Sequence, residues 1–394
     1  SIVPSGPTSG HRTLKPPGLT HGEHASSVTR SGRAINSATA PTILLLLMYF
    51  GTSSMGAYLS GNLVATAELS IRALTVGFVV LVLIEIVEPM DLIEILSRVL
   101  ATVAIFLSAT GTLNGDNLSG RLSGSFPPTH PNELAFIAAV PLTYFVWRTV
   151  NIDSSGIRNL AMVALGVIVY LTQSRTSAGV TALVCFFIVI RGTRDWRLRL
   201  SIVTWAIISI LCTITFSNAI QDFASRGGTV SVNTLNSRQF AWSAALFSDR
   251  AVTQLLFGEG LAKKLVAVTG QYWKTQVIDS SWVGAFVQAG LIGVGLAAVL
   301  VLYAALQARR NIRPANELWL ALLLLVVARS IFESGLLDSS SSFLIFMMVS
   351  LGAATSRHSA LSRSAGANYW EPYLRLVDRS RRRTFDAPEA IRRT

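Results

Sequence analysis

Charged residues are scarce in this sequence, where Asp, Glu, Lys and Arg make up 14% of the 394 residues. A typical soluble domain carries about 25%. Hydrophobic residues make up 51% of the chain, and its mean hydropathy is +0.50. A water-soluble globule cannot bury so many apolar side chains, and the long apolar runs exclude a membrane barrel, whose strands alternate apolar and polar residues. The composition therefore predicts an all-α, polytopic bundle of membrane-spanning helices.

Cysteine is rare, and the sequence contains no Asp-x-Asp pair. Cys185 and Cys212 both lie in apolar runs, which favours buried packing residues over a disulfide or a metal site. Because no acidic pair is present, nothing in the sequence indicates a bound metal, and no cofactor is predicted. A clear internal repeat is also lacking, which weighs against a secondary transporter.

Ten apolar runs are predicted to cross the membrane, a distance that takes about 20 helical residues. They form a membrane domain, residues 41–355, between two polar tails. The first tail, 1–40, is predicted to be disordered because it has no periodic pattern, and the second, 356–394, carries nine arginines. The runs are 42–64, 69–87, 92–110, 133–149, 157–173, 177–191, 198–217, 281–307, 316–337 and 339–355.

Positive charge, a net +12, is concentrated in the two tails and in short segments between the apolar runs. This distribution indicates membrane topology and not a nucleic-acid surface. Ten spans place both tails and the basic loops 191–199 and 308–315 on one side, which the positive-inside rule identifies as the cytoplasm. The loop 111–132 and the large loop 218–280 are then predicted to lie on the outer face.

Several charged and polar residues that are uncommon beside membrane spans lie in these outer segments. Arg121 and His130 precede the fourth span, in a segment that is either a helix cap formed by Asn132 or Glu133, or the edge of a binding site. Arg175 lies in the turn between two short spans. An arginine there either extends to lipid headgroups or forms an anion site with helix-end amides. The sequence leaves both alternatives open.

Three charged residues lie at or inside the later apolar runs. Arg329 and Glu333 are four positions apart and share one helix face. They are interpreted either as a structural ion pair or as groups facing a polar cavity, because charge inside a membrane needs a partner. Asp279 precedes a helix rich in small residues. It is interpreted as an N-cap, as a general base beside arginines, or as both.

An ordered series of short motifs covers roughly residues 110–310. In this order, with a large outer loop before the last helices, the sequence resembles the O-antigen ligase and polymerase superfamily of membrane glycosyltransferases. The motifs are Gly124 followed by His130-Pro131-Asn132-Glu133-Leu134-Ala135, Thr172-Gln173-Ser174-Arg175, Arg238 through Trp242, Phe257-Gly258-Glu259-Gly260, and Asp279-Ser280 before Gly290-Leu291-Ile292-Gly293.

The resemblance implies a GT-C-like bundle in the bacterial cytoplasmic membrane with its active site on the outer face. Ligases of the superfamily typically have His-Asn where this chain has Asp279-Ser280, so the resemblance favours the polymerase branch. The implied substrate is a polyprenyl-diphosphate-linked oligosaccharide presented among membrane lipids. A flippase and a chain-length regulator are the candidate protein partners.

The implied reaction is attack of an acceptor sugar hydroxyl on the anomeric carbon, with departure of the lipid diphosphate. Arg175 and Arg238 are predicted to hold the diphosphate, because a planar guanidinium donates two parallel hydrogen bonds. Asp279 is predicted to take the acceptor proton. Ligase-type transfer to a final acceptor, a secondary transporter and a non-catalytic scaffold stay as alternatives. Further substrate-binding residues are predicted to be Arg121, His130, Glu259, Arg329 and Glu333.

Overall fold

The computed structural model describes residues 24–113, 121–193, 232–268 and 274–364. Within these ranges the chain forms eleven helices and two short hairpins. The helices are α1 His24–Leu59, α2 Leu63–Ile86, α3 Pro89–Leu113, α4 Pro131–Asn151, α5 Gly156–Leu171, α6 Arg175–Gly192, α7 Val232–Phe247, α8 Val252–Phe257, α9 Ser281–Arg310, α10 Ala315–Ser330 and α11 Ser341–Ser364. The antiparallel hairpins pair β1 Gly124–Ser125 with β2 Pro128–Thr129, and β3 Leu265–Ala267 with β4 Thr275–Val277.

The chain is an all-α polytopic membrane protein, as the composition predicts. Six helices in the described ranges are long and apolar enough to cross a membrane: α2, α4, α6, α9, Thr39–Leu59 of α1 and Pro89–Gly111 of α3. Two shorter apolar helices are α5 and Ser341–Ser356 of α11. Together with α10, these helices match nine of the ten predicted spans. The remaining predicted span, 198–217, lies outside the described residues.

Large apolar side chains on the outside of the bundle identify the faces that meet lipid. On α2 and α3, Phe78 and Phe106 are 64% and 53% exposed, which would be costly in water. The bundle interior is filled by large aromatic side chains that are almost fully buried, among them Phe136, Trp147 and Trp319. The structure therefore has two apolar regions, a packed interior and a lipid-facing exterior, as a membrane bundle requires.

Helix α9 is interrupted at Gly290, which has φ +66° and ψ −165°. The interruption frees the carbonyls of Val287 and Gln288, which accept hydrogen bonds from the backbone N–H groups of Glu259 at 2.8 Å and Gly260 at 2.9 Å. Gly258, with φ +74°, packs directly on this backbone. The segment that follows α8 is thereby fixed to the backbone of α9, and its Gly260 lies against Ala57 of α1 and Thr66 of α2.

The two ends of the bundle differ in the polar residues and connecting segments that they carry. At one end, α4, α6, α9 and α11 begin, and the segments 121–130, 248–268, 274–280 and 331–340 precede or follow these helices; we call it the polar-loop end. At the opposite end, Arg148 and Arg158 both pair with Asp153, at 3.4 and 3.1 Å. The hydrogen bonds from Arg158 hold the pKa of Asp153 below its ordinary value. This compact arginine cluster joins α4 to α5.

Candidate functional site at the polar-loop end

The start of α4 supplies the first part of the site. His130 is the N-cap of this helix, and its Nδ1 accepts a hydrogen bond from the backbone N–H of Asn132 at 3.3 Å. The structure thus assigns the cap to His130, whereas the sequence favoured Asn132 or Glu133. Because the cap is supplied by His130, the side chains of Asn132 and Glu133 make contacts with more distant parts of the chain.

Arg238 of α7 lies between two carboxylates. Its Nε donates to Oδ2 of Asp279 at 3.2 Å, and its Nη2 donates to Oε1 of Glu333 at 3.2 Å. The Arg238 side chain is 25% exposed, Asp279 36% and Glu333 13%, so the group is sheltered yet open on one side. One guanidinium therefore joins α7 to the segments before α9 and after α10.

Trp242 explains the spacing of the Arg-x-x-x-Trp motif. It lies one helical turn after Arg238 and packs on Phe332, with ring centroids 6.4 Å apart. Phe332 immediately precedes Glu333. The Trp242–Phe332 contact and the Arg238–Glu333 ion pair therefore attach one turn of α7 to two adjacent residues. This double attachment fixes the direction of the guanidinium.

Glu333 extends the network to the start of α4. Its Oε1 also accepts from Nδ2 of Asn132 at 2.8 Å. The Oδ1 of Asn132 accepts in turn from Nη2 of Arg121 at 2.9 Å, and the Nε of Arg121 donates to the carbonyl of Thr172 at 3.1 Å. A continuous series of hydrogen bonds thus runs from Asp279 to the turn between α5 and α6.

Arg175, the third predicted catalytic residue, is the first residue of α6 and is half-buried. It follows Thr172 by three positions, so the contact of Arg121 with the Thr172 carbonyl connects its turn to the Arg238 network. Glu259 has a different setting. Its carboxylate pairs with Lys263 at 3.0 Å, and its backbone is attached to the interruption of α9.

Arg329 forms a buried cluster next to the network and is joined to it, since its Nη2 donates to the backbone carbonyl of Asn132 at 3.4 Å. Its guanidinium donates to Oε1 of Glu133 at 2.9 Å and to the hydroxyl of Ser342, and lies 4.4 Å from the ring centroid of Phe136. The other oxygen of Glu133 accepts from Ser341 at 2.6 Å. With a side chain only 3% exposed, Arg329 connects α4, α10 and α11 from within.

Arg329 and Glu333 do not pair with each other, although their spacing allowed it. Helix α10 ends at Ser330 and not at residue 337 as predicted, so Glu333 lies in the turn that follows. Each residue has another partner, Glu133 for Arg329 and Arg238 for Glu333. The chain turns away from the helix axis before Gly335, whose φ is +116°.

Asp279 is not the N-cap of α9. That position belongs to Ser280, whose hydroxyl accepts from the N–H of Val283 at 3.5 Å. Ser281 then holds the next turn, since its hydroxyl donates to the carbonyl of Glu333 at 2.8 Å and accepts from the N–H of Leu336 at 3.1 Å. The Asp279 carboxylate is thus left to Arg238.

An apolar groove of about 500 Å³ lies beside the network, between α7, α8 and α9. Trp282, three residues after Asp279, lies at its wall. Arg250 lies over the ring of Phe286, 5.0 Å from the centroid, and its buried Nη1 has no hydrogen-bond partner among the described residues. The burial lowers the pKa of Arg250, and the nearby Glu259 opposes that shift. The groove is lined by Leu246, Phe247, Leu255, Trp282, Val283, Phe286, Leu291 and Val294.

Two members of this site carried no recognisable sequence signal for their roles. The sequence predicts a helix cap at Asn132 and places this residue in a motif of the resembled family, but it does not indicate a contact with Glu333; for Arg250, neither spacing nor neighbours suggest a groove. Within the ranges that the structure describes, no group of three or more His, Cys, Asp or Glu side chains is arranged to hold a metal ion. The cationic groups at this end of the protein are arginines and lysines.

Comparison with known proteins adds little to this picture. No protein-family model matches the sequence, and no curated protein matches it. The chain is similar to a chain in a solved structure described as "Structural coordination of polymerization and crosslinking by a peptidoglycan synthase complex", with TM-score 0.47 and 15% identity, over 80% of this chain and 96% of that chain. At this level the match assigns neither a family nor a function. The protein's own residues establish an all-α membrane bundle with an arginine–carboxylate network at one end.

Proposed function

We propose that this protein is a metal-independent membrane glycosyltransferase that joins polyprenyl-diphosphate-linked oligosaccharide repeats into a longer polysaccharide. The observation that carries the proposal is Arg238, whose guanidinium contacts Asp279 and Glu333 beside an apolar groove. A phosphate-binding cation, a carboxylate base and a channel for a lipid tail are what this reaction needs. Ligase-type transfer of a finished glycan uses the same groups.

The charge distribution supports an active site on the outer face of the bacterial cytoplasmic membrane. The end opposite the site holds Arg148 and Arg158 in the α4–α5 connection, Arg191 in the last turn of α6, and Arg309 and Arg310 in the last turn of α9. Arginine-rich loops remain in the cytoplasm. The polar-loop end then faces outward, where nucleotide sugars are absent and a lipid-linked donor supplies the activated sugar.

The groove supports a donor with an apolar tail. It is lined by apolar side chains, among them Trp282, which follows Asp279 by three residues, so a prenyl chain in it would bring its diphosphate toward Arg238. Arg250 lies over Phe286 in this groove. Its Nη1 has no partner within the described ranges and is a donor that an anionic phosphate oxygen would satisfy, and burial strengthens such a charge-assisted contact.

The proposed step exchanges one carbon–oxygen bond for another. An acceptor sugar hydroxyl attacks the anomeric carbon of the donor, the bond to the diphosphate oxygen breaks, and the polyprenyl diphosphate leaves with the electron pair. The acceptor proton passes to the carboxylate of Asp279. Arg238, Arg175 and Arg121 stabilise the negative charge that develops on the diphosphate, and this electrostatic contribution is commonly the largest in such catalysis.

Arg238 has a double role in this scheme. In the donor-free protein it pairs with Asp279 and Glu333. A bound diphosphate competes for the same guanidinium and draws it from Asp279, which leaves that carboxylate able to accept a proton. Glu333 stays fixed by Asn132 and by the backbone contacts of Ser281. Donor binding would therefore prepare the base.

The test is reconstitution of the purified protein with the lipid-diphosphate oligosaccharide extracted from its own host. The proposal expects a ladder of lipid-linked products, each longer by one repeat. A single product on a different final acceptor would support the ligase alternative. Failure to consume the donor under conditions where the protein stays folded would contradict both forms of the proposal.

A further inference from the structure

A second, polar cleft lies on the other side of the segments that carry Asp279 and Glu333. Its accessible space is about 60 Å³, against about 500 Å³ for the apolar groove, and it is open to the outside. Ser280, Ser281 and Ser334 line it, and Ser280 and Ser334 directly follow the two carboxylates in sequence. Lys264 and Asp338 form an ion pair at this cleft.

Tyr49 lines the cleft from within the bundle. It belongs to the membrane-spanning part of α1 and is 1% exposed, and its ring packs edge-on against Phe50 with centroids 5.5 Å apart. Its hydroxyl makes no hydrogen bond to any residue that the structure describes, although it lines a polar cleft. A buried phenol usually has a hydrogen-bond partner, so a ligand that carries a hydroxyl or carbonyl would complete this contact.

The other polar groups match a polyhydroxylated ligand. Asp338 can accept hydrogen bonds from neighbouring hydroxyls, while Lys264 only donates and the amide of Gln288 does both. Gln288 is held weakly, by a 3.5 Å contact from its Nε2 to the carbonyl of Lys263, and is therefore available for a ligand. Apolar surface from Val277 and Leu337 supplies a face on which a sugar ring can pack.

We propose that this cleft binds the terminal sugar of the acceptor glycan, with Tyr49, Gln288, Lys264 and Asp338 as its polar contacts. The inference rests on the proposed function and assigns the acceptor a place distinct from the lipid groove. Asp279 itself does not line the cleft, but it directly precedes Ser280 of the cleft wall, so an acceptor sugar bound here lies one residue away from the proposed base. The donor approaches from the groove side and the acceptor from the cleft side.

The experiment measures binding without requiring catalysis. The probe is the free oligosaccharide released by mild acid from the host's own lipid-linked repeats, titrated into the full-length protein in detergent micelles and followed by saturation-transfer NMR. Tyr49→Phe removes only the phenolic hydroxyl. It is expected to weaken binding about 2- to 10-fold, the value of one hydrogen bond. Tyr58→Phe is the matched control, because Tyr58 lies on the same helix and is 67% exposed; its affinity should equal that of the wild type.

Lys264→Ala and Lys274→Ala form a second matched pair. Lys264 lines the cleft, whereas Lys274 is exposed in the β3–β4 connection, directly before β4, so only the first variant should weaken binding. In the transfer reaction, Tyr49→Phe should raise the KM for acceptor several-fold and leave the KM for lipid donor unchanged. A change in the KM for acceptor alone would not result from general destabilisation of the protein, which affects the KM values of both substrates.

The outcomes separate the cleft from the proposed function. Transfer by the wild type, combined with unchanged acceptor affinity in both Tyr49→Phe and Lys264→Ala, would overturn the cleft assignment and retain the glycosyltransferase. Binding of the oligosaccharide that depends on Tyr49 and Lys264, without consumption of lipid donor, would retain the glycan site and overturn the glycosyltransferase. Absence of oligosaccharide binding to the folded wild type would overturn the cleft assignment.

Discussion

Arg238 and Asn132 both donate to the same oxygen, Oε1 of Glu333, at 3.2 and 2.8 Å. This shared acceptor joins α7, the start of α4 and the turn after α10, which lie far apart in sequence. An oxygen with two donors holds both in one geometry, so the guanidinium that faces Asp279 is pre-oriented before any substrate binds. Preorganised donors of this kind cost little reorganisation during reaction.

Replacement of Arg238 by lysine should impair transfer despite the retained charge. Nε and Nη2 of Arg238 contact two carboxylates in different directions, and an ammonium is a point charge that cannot reproduce this fork. Loss of one charge-assisted hydrogen bond, about 1.5–3 kcal/mol, corresponds to roughly a 10- to 100-fold lower rate. Single-turnover rates with lipid-linked donor measure the effect. A lysine variant with the wild-type rate would show that only charge is required.

Asn132→Asp should be more damaging than Asn132→Ala. The aspartate would bring a second carboxylate to within about 3 Å of Glu333, and two like charges at that distance disfavour each other. The alanine only removes a neutral donor and leaves Arg238 on Glu333. We expect at least about tenfold lower activity for the aspartate than for the alanine variant. Equal activities would indicate that Asn132 does not contact Glu333 in the membrane.

Glu133→Gln should lower the stability of the bundle. Arg329 is almost fully buried and depends on Glu133 for charge compensation, and breaking a buried pair costs about 3–5 kcal/mol. Because Glu133 keeps 36% of its side chain exposed, we expect a loss of unfolding free energy near the lower end of this range, about 3 kcal/mol. The melting temperature in detergent should fall, while the exposed Glu85→Gln leaves it unchanged. A combined Arg329→Met and Glu133→Gln variant should recover part of the loss, and an unaltered melting temperature in Glu133→Gln would contradict the pairing.

Gly290→Ala should disrupt the attachment of the 256–260 segment to α9. At φ +66° and ψ −165° an L side chain is strained by about 1–3 kcal/mol, and an added methyl group would collide with the backbone of Leu256 and Phe257. Gly295→Ala is the control in the same helix, because nothing lies within 4 Å of the added Cβ. Limited proteolysis between α8 and α9 should accelerate in the first variant alone. Equal proteolysis of the two variants would contradict the close packing.

Much of the fold could be predicted because a bilayer imposes a simple rule on helix length and hydrophobicity. Runs such as 69–87 and 281–307 correspond closely to Leu63–Ile86 and Ser281–Arg310. The predicted end of α10, at residue 337, was wrong. The apolar sequence continues beyond Ser330, but the backbone turns there. Hydropathy measures composition, and it contains no information about where an apolar chain leaves the helix axis.

The site was partly accessible to sequence reasoning. Asp279 and Glu333 are charged residues near predicted outer span ends, and Arg238 belongs to a motif of the family that the sequence resembles; the structure joins the three by ion pairs. Their partners could not be derived, because Asn132 meets Glu333 across 201 positions. Tyr49 lies in an apolar helix and has the sequence signature of an ordinary core residue. Only tertiary structure brings its hydroxyl into a polar cleft.

The most direct test of the proposed mechanism is the release of free polyprenyl diphosphate from the lipid-linked donor by purified wild-type, Asp279→Asn and Asp249→Asn proteins. Asp249 is exposed in the segment between α7 and α8 and serves as the matched acidic control. The mechanism predicts release by the wild type and by Asp249→Asn, and at least about 100-fold slower release by Asp279→Asn, which lacks the base. Release by Asp279→Asn at the wild-type rate would contradict the assignment of this carboxylate.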